Sequence, residues 1–75
     1  VLPFNLSADG HVWLRVFDIQ GRVVTTLLDE TIKAGRHSVR WDGRDERGRG
    51  TPSGMYFYKL EAGGETLTRK MLLVK

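Results

Sequence analysis

The residues best suited to binding a ligand are carboxylates in a glycine-rich stretch, residues 42–54 (DGRDERGRGTPSG). Asp42, Asp45 and Glu46 offer the oxygen ligands that Ca²⁺ prefers. Their spacing departs from the Asp-x-Asp-x-Asp-Gly loop with a distal Glu, and three arginines share the segment. Aspartates in such segments also accept backbone N–H bonds inside turns. We therefore favour a loop-capping role for Asp42 and Asp45 and keep calcium as the alternative.

The histidines offer little further chemistry. Neither His11 nor His37 is accompanied by the Ser and Asp residues of an obvious catalytic triad. No second metal ligand stands near His37 at the spacing of a metal site. The sequence has no cysteine, no Gly-x-Ser-x-Gly elbow and no glycine-rich loop between a strand and a helix. We expect no enzymatic activity, no metal and no cofactor.

The size and charge of the chain limit the classes of protein to which it can belong. Seventy-five residues make one small domain, residues 1–75, without disulfides. The chain has twelve Lys and Arg and nine Asp and Glu, which are spread along its length. A nucleic-acid-binding protein usually clusters its basic residues, and this chain does not. No apolar run approaches the ~20 residues of a membrane helix, so we expect no membrane insertion. The start at Val1, without Met or a basic leader, suggests a part of a larger or processed precursor.

The segment around which the chain is organised is residues 54–60 (GMYFYKL), which is aromatic, apolar and bounded by turn formers. Such a run predicts a β-strand. Alternation places Tyr56, Tyr58 and Leu60 on one face and Met55, Phe57 and Lys59 on the other. The tyrosine face is our prediction for the centre of the core.

Other segments alternate in the same way. In residues 11–18, one face carries Val12, Leu14 and Val16, and the other carries aromatic residues beside an arginine. Residues 36–41 alternate again and end at a tryptophan. The full predicted core is Val12, Leu14, Val16, Val39, Trp41, Tyr56, Tyr58 and Leu60. The second, half-exposed surface is a predicted interaction face made of Trp13, Phe17 and Phe57.

Turn signals divide the chain into about seven short strands. Residues 7–10 (SADG) predict a hairpin turn, and Gly63-Gly64 predicts a second one. Residues 29–35 are polar and end in glycine, which predicts a loop or a brief irregular crossing. The last strand, residues 66–75, is apolar on both faces and should be central in a sheet or covered from outside. Together these features predict an all-β antiparallel sandwich.

Four segments in order resemble a known family: residues 12–27 (VWLRVFDIQGRVVTTL), 34–45 (AGRHSVRWDGRD), 48–60 (GRGTPSGMYFYKL) and 68–75 (TRKMLLVK). Together they resemble the FlgD-like immunoglobulin domain, named for the flagellar hook-capping protein. The pattern is also similar to the C-terminal sorting domain of type IX secretion cargo. The matching positions are Asp18, Gly21, Arg22, Gly35, Trp41, Asp42, Gly43, Gly54, Tyr56 and the terminal Lys70, Met71 and Lys75.

The resemblance implies an immunoglobulin-like, fibronectin-III-like sandwich at the C terminus of a secreted or cell-surface bacterial protein. It also implies a sorting strand that the export machinery reads, made of Lys70, Met71, Leu72, Leu73, Val74 and Lys75.

Three functions follow as hypotheses. The first is a non-catalytic sorting or anchoring domain, whose partner is the export machinery or a passenger domain. The second is a self-assembling structural subunit of an extracellular filament or a flagellar hook-cap-like assembly, with identical subunits joined through β-strand and aromatic-face contacts. The third is sugar or ligand binding on the interaction face of Trp13, Phe17 and Phe57.

Overall fold

Six β-strands make up the regular structure of the computed structural model, which describes Val1–Lys75. They are β1 (Leu2–Leu6), β2 (Gly10–Phe17), β3 (Val23–Ile32), β4 (Gly35–Val39), β5 (Gly54–Ala62) and β6 (Glu65–Leu73). No helix has the length and apolar character to cross a membrane. The all-β prediction is confirmed, with six strands in place of about seven.

The strands form two antiparallel sheets. The larger has the order β3-β2-β5-β6, and the smaller pairs β1 with β4. In the larger sheet one row of opposed residues runs Leu28, Leu14, Leu60, Leu67. Because opposed residues share a face, this row defines the inner face of the sheet.

The core lies between the small sheet and the two central strands of the large one. Leu2 and Leu6 of β1 pack with Val12, Leu14 and Leu60 in one buried cluster. Val12 and Val16 are fully buried and Leu14 is 1% exposed, so β2 supplies the most completely buried part of the core. Burying apolar area of this kind is the main favourable term in folding.

The residues predicted to form the core all lie on the inner side. Val12, Leu14, Val16, Tyr56 and Leu60 are buried, whereas Val39, Trp41 and Tyr58 are half-buried and pack against the cluster. β4 ends at Val39, before the predicted strand end, so Trp41 lies beyond the strand.

Tyr56 links the core to the preceding loop. Its hydroxyl donates to the Pro52 carbonyl, 2.7 Å away, and its ring meets Trp41 edge-on with centroids 5.1 Å apart. The Trp41 indole N–H in turn donates to the Arg44 carbonyl at 3.0 Å. A tyrosine near the start of a strand that bonds to backbone a few residues upstream is the tyrosine corner of immunoglobulin-like sandwiches.

The hairpin predicted at residues 7–10 is wrong. β1 and β2 belong to different sheets, so this segment crosses from one layer to the other. The Asp9 carboxylate accepts the Ala34 N–H at 2.7 Å and thereby ties this crossing to the one between β3 and β4. A turn motif specifies a local reversal of the chain, but it does not specify which strand becomes the neighbour.

The hairpin predicted at Gly63-Gly64 is correct. Both glycines have positive φ, and they join the paired strands β5 and β6.

The loop predicted for residues 29–35 is largely strand. β3 continues to Ile32 because Asp29, Glu30 and Thr31 pair with β2. The Asp29 carboxylate accepts a 2.6 Å bond from the His11 ring N–H. Ladder hydrogen bonds and this cross-strand pair outweigh the low strand propensity of the acidic residues.

The last strand is not central in the sheet, and its coverage by another protein stays a prediction. β6 pairs only with β5 and forms an edge of the large sheet. Leu72 and Val74 are 65% and 76% exposed, and the strand stops at Leu73. Two strands cannot fully cover four, so the inner side of β6 is covered only in part, at the half-buried Met71 and Leu73.

Backbone hydrogen bonds give residues 42–54 a defined conformation. Asp42 accepts the Arg44 N–H at 3.1 Å, and Asp45 accepts the N–H groups of Arg47 and Arg49 at 2.9 and 3.0 Å. The capping role predicted for these aspartates is therefore correct. Buried Thr51 donates both its N–H and its hydroxyl to the Gly43 carbonyl, each at 2.8 Å.

Gly43 is required where the loop meets the end of β6. Its φ is +78°, and an added Cβ would lie 3.2 Å from the Leu73 side chain. Both the backbone conformation and the close contact favour glycine here.

The turn between β2 and β3 depends on one carboxylate. Asp18 accepts the N–H groups of Gln20 and Arg22 and the Arg22 guanidinium at 2.9 to 3.0 Å. These contacts, led by the Arg22 backbone N–H, hold the pKa of Asp18 below its ordinary value. The backbone N–H of Arg49 is likewise the largest cause of a lowered pKa at Asp45.

We predict that Tyr56→Phe destabilises the domain by about 0.5–1.5 kcal/mol, because it removes the hydroxyl bond to Pro52 and leaves that carbonyl without its donor. Chemical denaturation measures the change. Tyr58→Phe is the matched control, since the Tyr58 hydroxyl makes no hydrogen bond within the chain and its loss should change stability little. Equal effects of the two variants would contradict a special role for the corner.

We predict that stability falls as the solution is acidified below about pH 4. A lowered folded-state pKa at Asp18 and Asp45 means that their contribution is present above the unfolded pKa of about 3.9 and is lost as pH falls through the folded pKa. Thermal unfolding between about pH 2 and 7 measures the loss. Asp18→Asn and Asp45→Asn should each reduce the pH dependence, and an unchanged pH profile in both variants would contradict the assignment.

Candidate protein-binding face

The outer face of the large sheet is the surface on the side away from the small sheet. Its residues alternate with the buried ones along β2 and β5, so the pairing that forms the core also orders this face. Three rows of opposed residues cross it: Val23, Phe17, Phe57, Lys70; then Thr26, Arg15, Lys59, Thr68; then Asp29, Trp13, Glu61, Thr66.

The first row carries an apolar patch. Phe17 and Phe57 lie directly opposite each other on the central strands, and both are half-buried. Val23 beside Phe17 is 49% exposed. The opposed pair Met55 and Leu72 extends the patch toward the start of β5, at 44% and 65% exposure. An exposed group of large apolar side chains on a sheet is typical of a protein-interaction surface.

The second row is basic. Glu61 Oε1 lies 3.8 Å from an Arg15 guanidinium nitrogen and 3.6 Å from Lys59 Nζ, so one carboxylate faces two cations. All three side chains are partly exposed, which limits the stabilisation that these contacts provide. Lys70, opposite Phe57, has no ion-pair partner within the chain. The apolar patch is therefore bordered by a surplus of positive charge.

Trp13 is separate from the two phenylalanines. Arg15 stands between Trp13 and Phe17 on β2, and the Trp13 ring packs on His11 with centroids 4.2 Å apart. The predicted face of Trp13, Phe17 and Phe57 thus lies on one side of the sheet but divides into a phenylalanine patch and a Trp13–His11 pair. Sugar binding by these residues stays a prediction.

The predicted sorting strand occupies the end of β6 and the residues after it. Lys70 and Leu72 face outward, Met71 and Leu73 face inward and are half-buried, and Val74 and Lys75 lie beyond the strand. The Lys75 N–H donates to the Ser53 hydroxyl at 3.0 Å, so the chain end is held against the loop of residues 42–54.

The polar residues considered for metal binding serve the fold. The His37 ring Nε2–H donates to the Lys33 carbonyl at 2.6 Å, and its ring stacks on Phe4 with centroids 5.4 Å apart. Nowhere do three His, Cys, Asp or Glu side chains gather in a way that could hold a metal ion. No local pattern signals the tie between Asp9 and Ala34, because it joins residues far apart in the chain.

Comparisons with known proteins identify the family. Residues 3–65 match the FlgD Ig-like domain. The basal-body rod modification proteins FlgD of Salmonella typhimurium and Salmonella typhi are each 33% identical over 75 residues, covering 93% of this chain and 32% of the relative. A crystal structure of FlgD from P. aeruginosa superposes with a TM-score of 0.75 at 31% identity, covering 95% of this chain and 56% of that one. The chain therefore spans about a third of the length of the curated relatives it matches.

These findings correct the leading functional hypothesis. The relatives are named for modification of the basal-body rod and not for sorting of secreted cargo, so the type IX sorting prediction is wrong. The secreted or cell-surface location that accompanied it is wrong for the same reason. The hypothesis of a structural subunit in a flagellar assembly agrees better with the relatives. By the match over most of its length, this chain belongs to the FlgD Ig-like domain family.

Proposed function

We propose that this chain is a non-catalytic structural module of a flagellar assembly protein and that it acts by binding another protein. The observation that carries the proposal is its similarity, over 93% of its length, to proteins named for basal-body rod modification. A name of that kind describes action on another protein structure, so a protein is the partner that fits.

The outer face is the surface we assign to that contact. Phe17 and Phe57 form its centre, and Arg15, Lys59 and Lys70 supply positive charge around it. Aromatic residues with adjacent arginines are the usual anchors of protein interfaces. The surplus of cations favours a partner surface that carries carboxylates around an apolar centre.

The non-catalytic part of the proposal rests on how the polar residues are used. Asp18, Asp42 and Asp45 accept backbone N–H groups in turns, and Asp9 accepts one from a distant crossing. Glu61 pairs with two cations on an open sheet face. Carboxylates that cap turns at the surface are poorly placed to act on a bound substrate.

We predict that residues 1–75 can replace the matched segment of the Salmonella typhimurium relative. In a strain that lacks the relative, the chimera should restore swimming in soft agar, because the module would supply an equivalent contact. A chimera without the segment is the control. A chimera that is produced and folded but gives no swimming would contradict the proposed function.

We predict that the same chimera loses activity when Phe17→Ser and Phe57→Ser are combined. Loss of two central aromatic anchors should weaken a protein contact by about 2 kcal/mol or more, which is roughly 30-fold in affinity. Ile19→Ser is the matched control, since Ile19 is 71% exposed and lies in a turn outside the face. Circular dichroism verifies folding, and wild-type swimming by a folded double variant would exclude this face.

A further inference from the structure

Both outer strands of the large sheet have an open edge. β3 and β6 each have a neighbour on one side only. Such an edge presents unpaired N–H and C=O groups to any strand that approaches it. The loop of residues 42–54 occupies the beginning of the β3 edge, where the Glu46 N–H donates to the Val24 carbonyl at 3.1 Å. The rest of β3, from Leu28 to Ile32, remains open.

The two open edges carry opposite charges. β3 presents the neighbours Asp29 and Glu30, and β6 presents the neighbours Arg69 and Lys70. All four residues are exposed. Asp29 is bonded to His11, whereas Glu30, Arg69 and Lys70 form no ion pair within the chain.

The charged residues of the two edges also lie on matching faces of the sheet. Asp29 lies opposite Trp13, and Lys70 lies opposite Phe57, so both point to the outer face. Glu30 lies opposite Val12, and Arg69 lies opposite Tyr58, so both belong to the inner face. Each edge therefore offers one charge on each side of the sheet.

The topology sets the direction in which two copies would pair. Four strands that alternate in direction leave β3 and β6 antiparallel to each other. A second copy placed beside β6 in the same orientation would thus present its β3 in the antiparallel direction. The all-antiparallel sheet continues across the boundary without turning either molecule over.

We propose that β6 of one copy pairs antiparallel with β3 of a second copy of this chain, with Lys70 opposite Asp29 and Arg69 opposite Glu30. The inference rests on the proposed function as a module that acts by protein contact, and it names identical copies as one partner.

One register satisfies both ion pairs at once. It also places Met71 opposite Leu28, Thr68 opposite Thr31, and Leu67 opposite Ile32. Leu67, Met71, Leu28 and Ile32 all belong to inner faces, so apolar side chains meet apolar side chains. A slip of two residues, the smallest that keeps the faces matched, removes both ion pairs.

Pairing between like edges is disfavoured. Two copies of β6 paired about a two-fold axis at Arg69 or Lys70 would place cations opposite each other, and two copies of β3 paired about Asp29 or Glu30 would place carboxylates opposite each other. The head-to-tail contact leaves an open β3 on one end and an open β6 on the other, so it repeats until a ring closes or a filament grows. Within one copy, Leu67 lies in the same row across the sheet as Leu28. In the proposed contact, Leu67 lies opposite Ile32 of the second copy. Neighbouring copies are therefore displaced along the strand direction by about 13 Å.

Charge reversal tests the pairing. The variant Asp29→Lys/Glu30→Lys and the variant Arg69→Glu/Lys70→Glu should each self-associate about tenfold more weakly than the wild type in sedimentation equilibrium of residues 1–75. An equimolar mixture of the two should recover association, since the unaltered basic edge of one variant then meets the unaltered acidic edge of the other. A chain with all four substitutions should also recover it. Association that is unaffected by either variant, or variants that are not restored by mixing, would overturn the proposal.

Cross-linking tests the register. Because the chain has no cysteine, Thr31→Cys/Thr68→Cys introduces the only thiols. These positions lie on opposite edges of one copy, at least about 14 Å apart across three strand spacings, which is too far for a disulfide within the chain. Oxidation should give ladders in which position 31 of one copy is bonded to position 68 of the next, identified by mass spectrometry. Thr31→Cys/Thr66→Cys is the matched control with the register shifted by two residues and should cross-link slowly.

Two outcomes separate this inference from the proposed function. A wild-type chain that stays monomeric at millimolar concentration, together with a double-cysteine variant that gives no ladder, overturns the edge pairing alone if the chimera still restores swimming. Disulfides that join position 31 to position 31, or position 68 to position 68, in place of the mixed bond also overturn it.

Discussion

The pairing of β2 with β5 is the constraint on which the rest of the molecule depends. In its register Leu14 meets Leu60 and Val16 meets Tyr58 on the inner face, while Phe17 meets Phe57 on the outer face. Side chains alternate with a period of two, so one register creates both the core and the candidate binding surface. A slip of one residue would turn the phenylalanine of one of the two strands inward and expose the core side chains of that strand. Stability and binding are therefore specified by the same set of hydrogen bonds.

The second constraint is the width of the small sheet. β1 and β4 cover the central strands, where Leu2 and Leu6 pack on Val12 and Leu14. They leave the inner sides of β3 and β6 with exposed and half-buried residues. An edge strand is a hazard that natural sheets control with charge. Here the two edges carry charges of opposite sign, which discourages pairing of like edges and permits pairing of unlike ones.

Polar side chains hold the connections between strands. Asp18 closes the turn after β2, Asp45 closes the loop before β5, and Asp9 joins the two crossings between the sheets. Each replaces water on a backbone N–H that no strand can satisfy. This use of aspartate explains why the acidic residues that first suggested ligand chemistry are dispersed and individually engaged.

The sequence by itself determined the all-β class, the inner face of β2, the tyrosine strand, the Gly63-Gly64 hairpin and the capping role of Asp42 and Asp45, because each follows from alternation or turn chemistry within a few residues. It also indicated that Trp13, Phe17 and Phe57 share a side, since they alternate with core positions. The tertiary structure decided which strands are neighbours. Residues 7–10 cross between sheets, Asp29 and Glu30 extend β3, and β6 is an edge, although local patterns favoured a hairpin, a loop and, as one alternative, a central strand. These outcomes depend on long-range pairing and on how far the small sheet reaches, and no short segment encodes either.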